Sequence, residues 1–244
     1  ARRESPMTAL QPAPVLRMSE LRFRWPGTAH DVLDMPGWNL GAAERLLVRG
    51  PSGCGKSTLL SLAAGVLLPS AGRVELLGQD WQGLGAGARE QRRVDHVGYV
   101  FQQFNLLPYL CALDNVLLPC RFSPLRARRA GASLERAAQT LLDALDLPAA
   151  LWRKPAGELS VGQQQRVAAA RALIGQPQLI IADEPTSALD DERRDAFMRL
   201  LLARCQAAGS ALLFVSHDAR LAPHFDRVLE LAAINRARQG AREG

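Results

Sequence analysis

The chain alternates between short, continuous apolar runs and longer segments in which apolar residues recur every three to four positions. Continuous apolar runs of four to eight residues favour strands covered on both faces, as in parallel sheets. Together with shorter runs bounded by glycine, they predict strands at 44–50, 72–78, 97–102, 178–183 and 211–216. Because helical segments separate these strands, the pattern predicts a parallel α/β sheet.

Helical periodicity dominates residues 104–175, which we interpret as an insert that splits the sequence of the sheet in two. Within it, residues 133–147 carry apolar positions at helical spacing, and Ser133 is placed to cap that helix. A second amphipathic helix is predicted over 191–209, where it stops at a glycine. A further helix is expected from about Lys56.

The domain organisation follows from length and local composition. A chain of 244 residues suits one large domain or two small ones, and no internal repeat is present. Residues 1–15 are proline-rich and aperiodic, which predicts a flexible N-terminus. We expect a single domain over 16–236 and a basic tail over 237–244.

Composition excludes a membrane-spanning or secreted class. Hydrophobic residues make up 48% of the chain and charged residues 22%, which is ordinary for a soluble globular protein. No apolar run approaches the roughly 18 to 20 residues needed to span a bilayer. The first residues lack the apolar core of a signal peptide. We therefore expect a soluble chain that stays in the cytoplasm.

The net charge and the cysteines decide little by themselves. A net charge of +6 permits nucleic acid or an anionic membrane surface as a neighbour, but a solvated basic surface is the simpler interpretation. Cys54, Cys111, Cys120 and Cys205 have neither the spacing of metal ligands nor that of a disulfide framework. Reduced thiols are expected.

The sequence GPSGCGKST at 50–58 matches the phosphate-binding pattern G-x-x-x-x-G-K-[ST] between a predicted strand and a predicted helix. Glycines let successive backbone N–H groups curl around phosphate oxygens, and the helix N-terminus adds partial positive charge. Lys56 would reach the β and γ phosphates, and the Ser57 hydroxyl would bind magnesium. ATP and Mg²⁺ are therefore the expected cofactors. The residues predicted to cradle the nucleotide here are Gly50, Pro51, Ser52, Gly53, Cys54, Gly55, Lys56, Ser57 and Thr58.

The predicted strand at 178–183 ends in two acids. Asp183 is placed to hold magnesium through water, and Glu184 could polarise the water that attacks the γ-phosphate. Alternatively, the two carboxylates merely end a strand. The first interpretation is favoured because a P-loop needs such an acid and no other apolar strand of the chain ends this way.

Five further features give the chain a resemblance to the nucleotide-binding subunit of ABC transporters over nearly its whole length. LSVGQQQR at 159–166 resembles the family signature LSGGQ, and SALD at 187–190 resembles the D-loop. Gln102 matches the glutamine that links the core to the helical subdomain. His217 matches the switch histidine at the γ-phosphate, and Trp25 stands where the family places an aromatic ring against adenine.

The resemblance implies a P-loop NTPase of ABC type, with a RecA-like parallel-sheet core. A small antiparallel β subdomain and an inserted helical subdomain complete this implied fold. The residues implied are Glu184, His217 and Lys56 in catalysis, Ser57, Gln102 and Asp183 at magnesium, and Trp25, Gln102, Ser160, Gly162, Gln163 and Asp190 at the nucleotide.

The resemblance also implies a homodimer, since in this family each signature closes the ATP site of the other subunit. Ser160 and the N–H groups near Gly162 would aim at the partner's γ-phosphate. We expect this polar helix start to remain unsatisfied until ATP and a second subunit arrive. Val161 replaces a glycine of the usual signature, so turnover need not be typical of the family.

The segment 101–119 resembles that of the lipoprotein-release and macrolide-export ATPases, the LolD and MacB type. This likeness implies a membrane permease subunit with few spanning helices, docked near Gln102–Pro119. It also implies a place at the cytoplasmic face of the inner membrane. A cell-division ATPase of the FtsE type is an alternative, because its catalytic parts look alike.

Two other functions fit the chain less well. A soluble ABC ATPase acting on the ribosome or DNA would carry a second ATPase domain or a long coiled-coil insertion. The insert here is only about as large as a transporter helical subdomain, so no nucleic acid partner is expected. A nucleotide-binding regulator without turnover is disfavoured because Lys56, Asp183, Glu184 and His217 are all present.

Overall fold

The structure, a computed structural model, describes residues 13–187 and 189–238. Most of the predicted flexible N-terminus and most of the predicted basic tail lie outside the described residues. Val15, inside the segment predicted to be flexible, is buried, and its N–H donates to Leu40 O at 2.8 Å. The buried interior of the described chain therefore already includes a residue before the predicted domain boundary.

One of the two sheets is antiparallel and small. Its strands are β1 (Leu16–Phe23), β2 (Leu33–Met35), β3 (Trp38–Leu40), β5 (Ala71–Leu76) and β6 (Gln79–Asp80). Strand β1 lies at its centre and pairs with β2, β3 and β5. A register shift after Ser19 and a φ of +44° at Glu20 interrupt the alternation of β1. This bulge lets Met18 and Leu21 both face the core.

The other sheet is parallel throughout and follows the order β10-β4-β9-β8-β7. Its strands are β4 (Arg45–Arg49), β7 (Val97–Val100), β8 (Leu179–Asp183), β9 (Ala211–Val215) and β10 (Arg227–Glu230). The five strands predicted from the sequence form with bounds within two residues of the prediction. The one predicted at 72–78 joins the antiparallel sheet as β5.

Helices lie both inside and outside the predicted insert. The predicted insert contains α3 to α6, and the predicted helix at 191–209 is α7. Shorter 3₁₀ turns lie at Ala149–Leu151, Ala156–Glu158, Ala219–His224 and Arg236–Arg238. The α-helices are α1 (Lys56–Ala63), α2 (Ala86–His96), α3 (Ala112–Phe122), α4 (Pro124–Ala130), α5 (Leu134–Ala144), α6 (Val161–Leu173), α7 (Asp191–Ala208) and α8 (Leu231–Ile234).

The alternation of side chains along the parallel strands divides the interior into two cores. Leu46 and Leu213 belong to the core shared with α1 and the antiparallel sheet. Leu47 and Leu212 belong to the core shared with α3, α5, α6 and α7. Because both faces are covered, the strands are continuous apolar runs, as expected for a parallel sheet. The α/β P-loop fold with a small antiparallel subdomain is thus confirmed.

Arg126 of α4 joins the helical insert to the sheet. Only 2% of it is exposed, and its guanidinium donates to the carbonyls of Ile174 (2.8 Å), Ala172 (2.7 Å), Val97 (3.3 Å) and Arg171 (3.3 Å). Burial lowers the pKa of Arg126 to about 10. The four hydrogen bonds satisfy a charge that would otherwise be costly to bury.

Candidate functional site

The phosphate-binding loop connects β4 to α1 and depends on glycine. Gly55 has a φ of +101° and caps α1, and a Cβ there would lie 2.7 Å from the side chain of Leu33. Lys56 begins the helix and folds back over the loop, where its Nζ donates to Gly50 O at 2.9 Å and Pro51 O at 3.2 Å. The loop therefore already holds its lysine across the space where phosphates would bind.

A cavity of about 430 Å³ opens beside this loop. It gathers loop residues, both acids at the end of β8, the glutamine after β7 and the tryptophan after β1. Val32 also lines it and was not predicted, because an isolated valine carries no chemical pattern. The sequence-predicted residues that line it are Trp25, Ser52, Gly53, Gly55, Lys56, Ser57, Thr58, Gln102, Asp183 and Glu184.

Glu184 lies between the ammonium of Lys56 and the imidazole of His217. Its Oε1 lies 3.7 Å from Lys56 Nζ, and its Oε2 lies 3.3 Å from His217 Nδ1. Its φ is +43°, and its N–H donates to Val215 O at 3.0 Å, so the backbone turns sharply as β8 ends. This turn directs the Glu184 carboxylate towards the side chains that follow β4 and β9.

Asp183, the residue before Glu184, is a partly buried carboxylic acid. Burial raises the pKa of its carboxyl, the neighbouring Glu184 charge raises it further, and Lys56 lowers it. A bound cation at this position would favour the ionised form of the carboxyl. The hydroxyl of Ser57, the amide oxygen of Gln102 and the Asp183 carboxylate line the same cavity, and such oxygens suit Mg²⁺.

His217 follows β9 on a loop that a charged network fixes. Asp218 N–H donates to Ser216 Oγ at 3.1 Å, and the buried Arg194 donates to Asp218 Oδ2 at 3.0 Å. Hydrogen bonds from Arg220 are the main reason that the pKa of Asp218 falls to about 2. The imidazole itself is mostly exposed, so it can reach a ligand beside Glu184.

The signature segment forms the start of α6, and the side chains of Ser160, Gln163 and Gln165 find hydrogen-bond partners within the chain. Ser160 Oγ accepts from Gln163 N–H at 3.4 Å, while Gln163 Oε1 accepts from Ser160 N–H at 2.9 Å. This reciprocal pair is a capping box. Gln165 is buried and donates to Pro185 O at 2.8 Å. The expectation that this start remains unsatisfied without a partner is therefore wrong for Ser160 and Gln163, which cap the first helical turn themselves.

Ser160, Gly162, Gln163 and Asp190 do not line the cavity beside the P-loop. A Cβ on Gly162 would meet nothing within 4 Å, so the helix start faces open space. Asp190 caps α7 by accepting from Arg193 N–H at 2.9 Å. One chain therefore separates the implied nucleotide-binding residues into two surfaces.

Cys54 and Trp25 were both predicted to contact the nucleotide, but only the side chain of Trp25 is exposed. Cys54 is 1% exposed and packs in the core, so only its main chain can face phosphate. Trp25 is 43% exposed and lines the cavity, with its indole edge-on to Phe23 at 5.0 Å between centroids. An exposed indole face beside the phosphate loop is available for stacking on a base.

A second cavity, of about 450 Å³, lies between α1, α2, β7 and α3. Val66, Phe101 and Phe122 line it and are 57%, 37% and 66% exposed, so large apolar side chains face solvent here. We call this cavity the insert groove. Exposed apolar side chains gathered in one concave surface are typical of protein interaction sites.

Comparison with known proteins identifies the family. The family model described as "ABC transporter" matches residues 33–187, which is more than half of the chain. The chain belongs to the ABC transporter family and is an ATP hydrolase. The resemblance inferred from the sequence motifs is thereby confirmed.

Individual relatives fit this assignment. The chain is 42% identical over 202 residues to the lipoprotein-releasing system ATP-binding protein LolD of Syntrophotalea carbinolica, covering 83% of this chain and 87% of that protein. It is 43% identical over 188 residues to the uncharacterized ABC transporter ATP-binding protein YbbA of Escherichia coli, covering 77% and 80%.

Solved structures agree with the fold. The dimeric structure of MJ0796, a bacterial ABC transporter cassette, superimposes with a TM-score of 0.77 at 32% identity, over 88% of this chain and 94% of that one. A post-hydrolysis dimer of the same cassette, bound to ADP and Pi, matches equally well. Within the described part of this chain, no helix is both long and apolar enough to span a bilayer.

Proposed function

We propose that the chain is the ATP-hydrolysing subunit of a transporter complex of the lipoprotein-release or efflux type. In this proposal it works as a homodimer that drives a separate membrane subunit from the cytoplasmic face of the inner membrane. The observation that carries the proposal is the single cavity that gathers Lys56, Ser57, Gln102, Asp183 and Glu184. The LolD relatives support the choice of transporter type.

ATP would bind with its phosphates on the loop at 50–58 and its base against Trp25. Ser57, Gln102 and Asp183 would hold Mg²⁺, which would neutralise charge on the phosphate oxygens. Glu184 would accept a proton from the attacking water, since its carboxylate lines the cavity between Lys56 and His217. Lys56 and His217 flank that carboxylate and would contact the γ-phosphate.

A second copy would complete each ATP site. The exposed Ser160 and the half-buried Gly162 lie at the start of α6, where N–H groups and the helix dipole favour an anion. The MJ0796 cassette, which superimposes on this chain, is solved as a dimer. In the proposed dimer the Ser160 hydroxyl would turn from its own capping box towards the partner's γ-phosphate.

The membrane subunit would dock in the insert groove. The groove is lined by residues from the predicted docking segment, Phe101, Asn105, Leu118 and Pro119, together with Phe122 beyond its end. Its position next to Gln102 would let movement of a docked segment follow nucleotide binding. Docking there would bury the exposed apolar side chains that otherwise face water.

The experiment is to express Glu184→Gln in cells, solubilise membranes with MgATP and identify the proteins that co-purify. The variant should bind ATP, hydrolyse it at a small fraction of the unmodified rate, and retain an integral membrane protein. Adding Phe122→Asp should abolish retention because a carboxylate would be buried in the groove. Val228→Asp, at an exposed apolar position outside the groove, is the matched control.

Three results would contradict the proposal. Retention of ribosomal proteins or DNA in place of a membrane protein would favour a soluble ABC ATPase. Unchanged ATP turnover in Glu184→Gln would show that Glu184 is not the general base. Equal loss of the membrane protein with Phe122→Asp and Val228→Asp would place the docking surface elsewhere. If the retained membrane protein belongs to the division machinery, the FtsE-type alternative applies instead.

A further inference from the structure

A third cavity, remote from the P-loop residues, lies where the helical insert meets the core. Its volume is about 280 Å³, and its walls come from α4, α5, the end of α6 and the end of α7. None of the residues assigned above to ATP, magnesium or the membrane partner lines it. We call it the junction cavity.

Two arginines give the junction cavity a positive charge. Arg129 reaches it from α4 and donates to Gln178 Oε1 at 3.1 Å, while Arg204 reaches it from α7. The Nε of Arg204 is buried and has no hydrogen-bond partner among the residues that the structure describes. No carboxylate from that part of the chain lines the cavity. Two guanidinium groups on the wall of one cavity, with no carboxylate of the described residues lining it to pair them, favour an anion.

The remaining wall is mostly apolar and limits the size of a ligand. Leu141, Leu173 and Ile174 line it, and Thr140 and Gln176 add polar groups at its exposed side. A volume of 280 Å³ is just below the roughly 300 Å³ at which ligand pockets usually begin. A single ring or a short chain that carries one acidic group matches this size and lining.

We propose that the junction cavity is a binding site for a small organic anion with a compact apolar body. Its carboxylate or phosphate accepts hydrogen bonds from Arg204 and Arg129, and its apolar part packs on Leu141 and Leu173. Because α5 and α7 both line the cavity, a bound ligand also contacts the helical insert and the core. The site is independent of the function proposed above.

The test uses the full chain with saturating MgADP, so that the P-loop is occupied. Benzoate is titrated while amide chemical shifts are followed by NMR, with benzamide as the neutral probe and inorganic phosphate as the anion without an apolar body. Benzoate should shift the amides of Thr140, Gly175 and Ala207 in a saturable way. Benzamide lacks the negative charge and phosphate lacks the apolar body, so each should bind about tenfold more weakly than benzoate or worse.

Two variants on α7 make the test specific. Arg204→Gln should weaken benzoate binding about tenfold, whereas Arg199→Gln, at an exposed position outside the cavity, should leave it unchanged. Folding of both is checked by their amide spectra. Equal binding of benzoate and benzamide, an unchanged affinity in Arg204→Gln, or shifts confined to other regions would overturn the proposal.

Discussion

The P-loop region and the signature region differ in how completely one chain builds them. At the P-loop, Lys56, Asp183 and Glu184 converge on one cavity of about 430 Å³, where Lys56 Nζ lies 3.7 Å from Glu184 Oε1. At the signature, Ser160 and Gln163 satisfy each other, and the helix start faces open space. One region is a charged pocket built within a single chain, and the other is a surface whose helix cap is complete within that chain.

Because of this difference, ATP binding and ATP hydrolysis should depend differently on the second copy in the proposed dimer. A single chain carries the groups needed to hold ATP, so nucleotide binding should not require a second copy. Hydrolysis should require it, because the signature groups reach phosphate only across an interface. Self-capping keeps α6 formed in the free chain, so association need not include the cost of ordering that helix.

The largest effect is expected from Lys56→Ala. Removing the ammonium takes away the cation beside Glu184 and the proposed contact to the β and γ phosphates, so ATP hydrolysis should fall about a hundredfold or more. Lys154→Ala, which changes the other lysine of the chain, should leave turnover unchanged. Steady-state phosphate release measures both. Substantial turnover in Lys56→Ala would contradict the P-loop assignment.

Gly162→Arg should separate the two regions most sharply. Among the described residues, no atom lies within 4 Å of a Cβ built at this position, so the chain should fold and bind ATP normally. Turnover should nevertheless fall about tenfold or more, since the new side chain would occupy the space of the partner's nucleotide. Gly87→Arg, at a helical glycine that is equally open, is the control. Loss of ATP binding in Gly162→Arg would instead indicate that the signature contacts the ATP bound by its own chain.

Trp25→Ala tests the base-stacking contact at the edge of the P-loop cavity. Stacking on an aromatic side chain contributes about 1–3 kcal/mol per base, so ATP should bind roughly five- to tenfold more weakly or worse. The turnover number should change little, because the indole is not among the groups around Glu184. Trp25→Phe should restore most of the affinity. Equal KM values for Trp25→Ala and the unmodified chain would show that Trp25 does not stack on the base.

A smaller effect, on stability, is expected from Asp218→Asn in the His217 loop. The folded-state pKa of Asp218 is about 2, below the ordinary value of 3.8, so ionisation of its carboxylate favours folding above about pH 4. That contribution is lost as the pH falls from about 4 to about 2. The difference in unfolding free energy between Asp218→Asn and the unmodified chain should therefore shrink over this window. Asp143→Asn, at an exposed position, should show no such change; an equal change would exclude the loop network.

Much of the fold is local in origin and could be predicted from the sequence. Strands β4, β8 and β9 are continuous apolar runs because both faces of the parallel sheet are covered. Helix α2 was missed because none of its residues is buried, so its sequence lacks an apolar stripe. Strands β2 and β3 were missed because three residues are too few to show alternation.

Residues of the candidate site could be predicted where they belong to a motif with fixed spacing, but not where their position depends on tertiary packing. Lys56, Ser57 and Asp183 lie in patterns whose spacing has a mechanical reason, and the structure gathers them. The capping box also had a signal, since Ser160 is followed three residues later by Gln163. The position of Val32 and the unpartnered Nε of Arg204 arise only from tertiary packing, so no sequence pattern indicates them.

The most direct test of the central claim is sedimentation velocity of Glu184→Gln with MgATP and with MgADP. The account predicts a species of about 53 kDa with ATP, twice the 26.5 kDa of one chain, and the single chain with ADP. Adding Gly162→Arg should return the ATP-bound protein to the single-chain mass. A Glu184→Gln protein that binds ATP yet stays at the single-chain mass would contradict the claim that the signature surface completes the partner's ATP site.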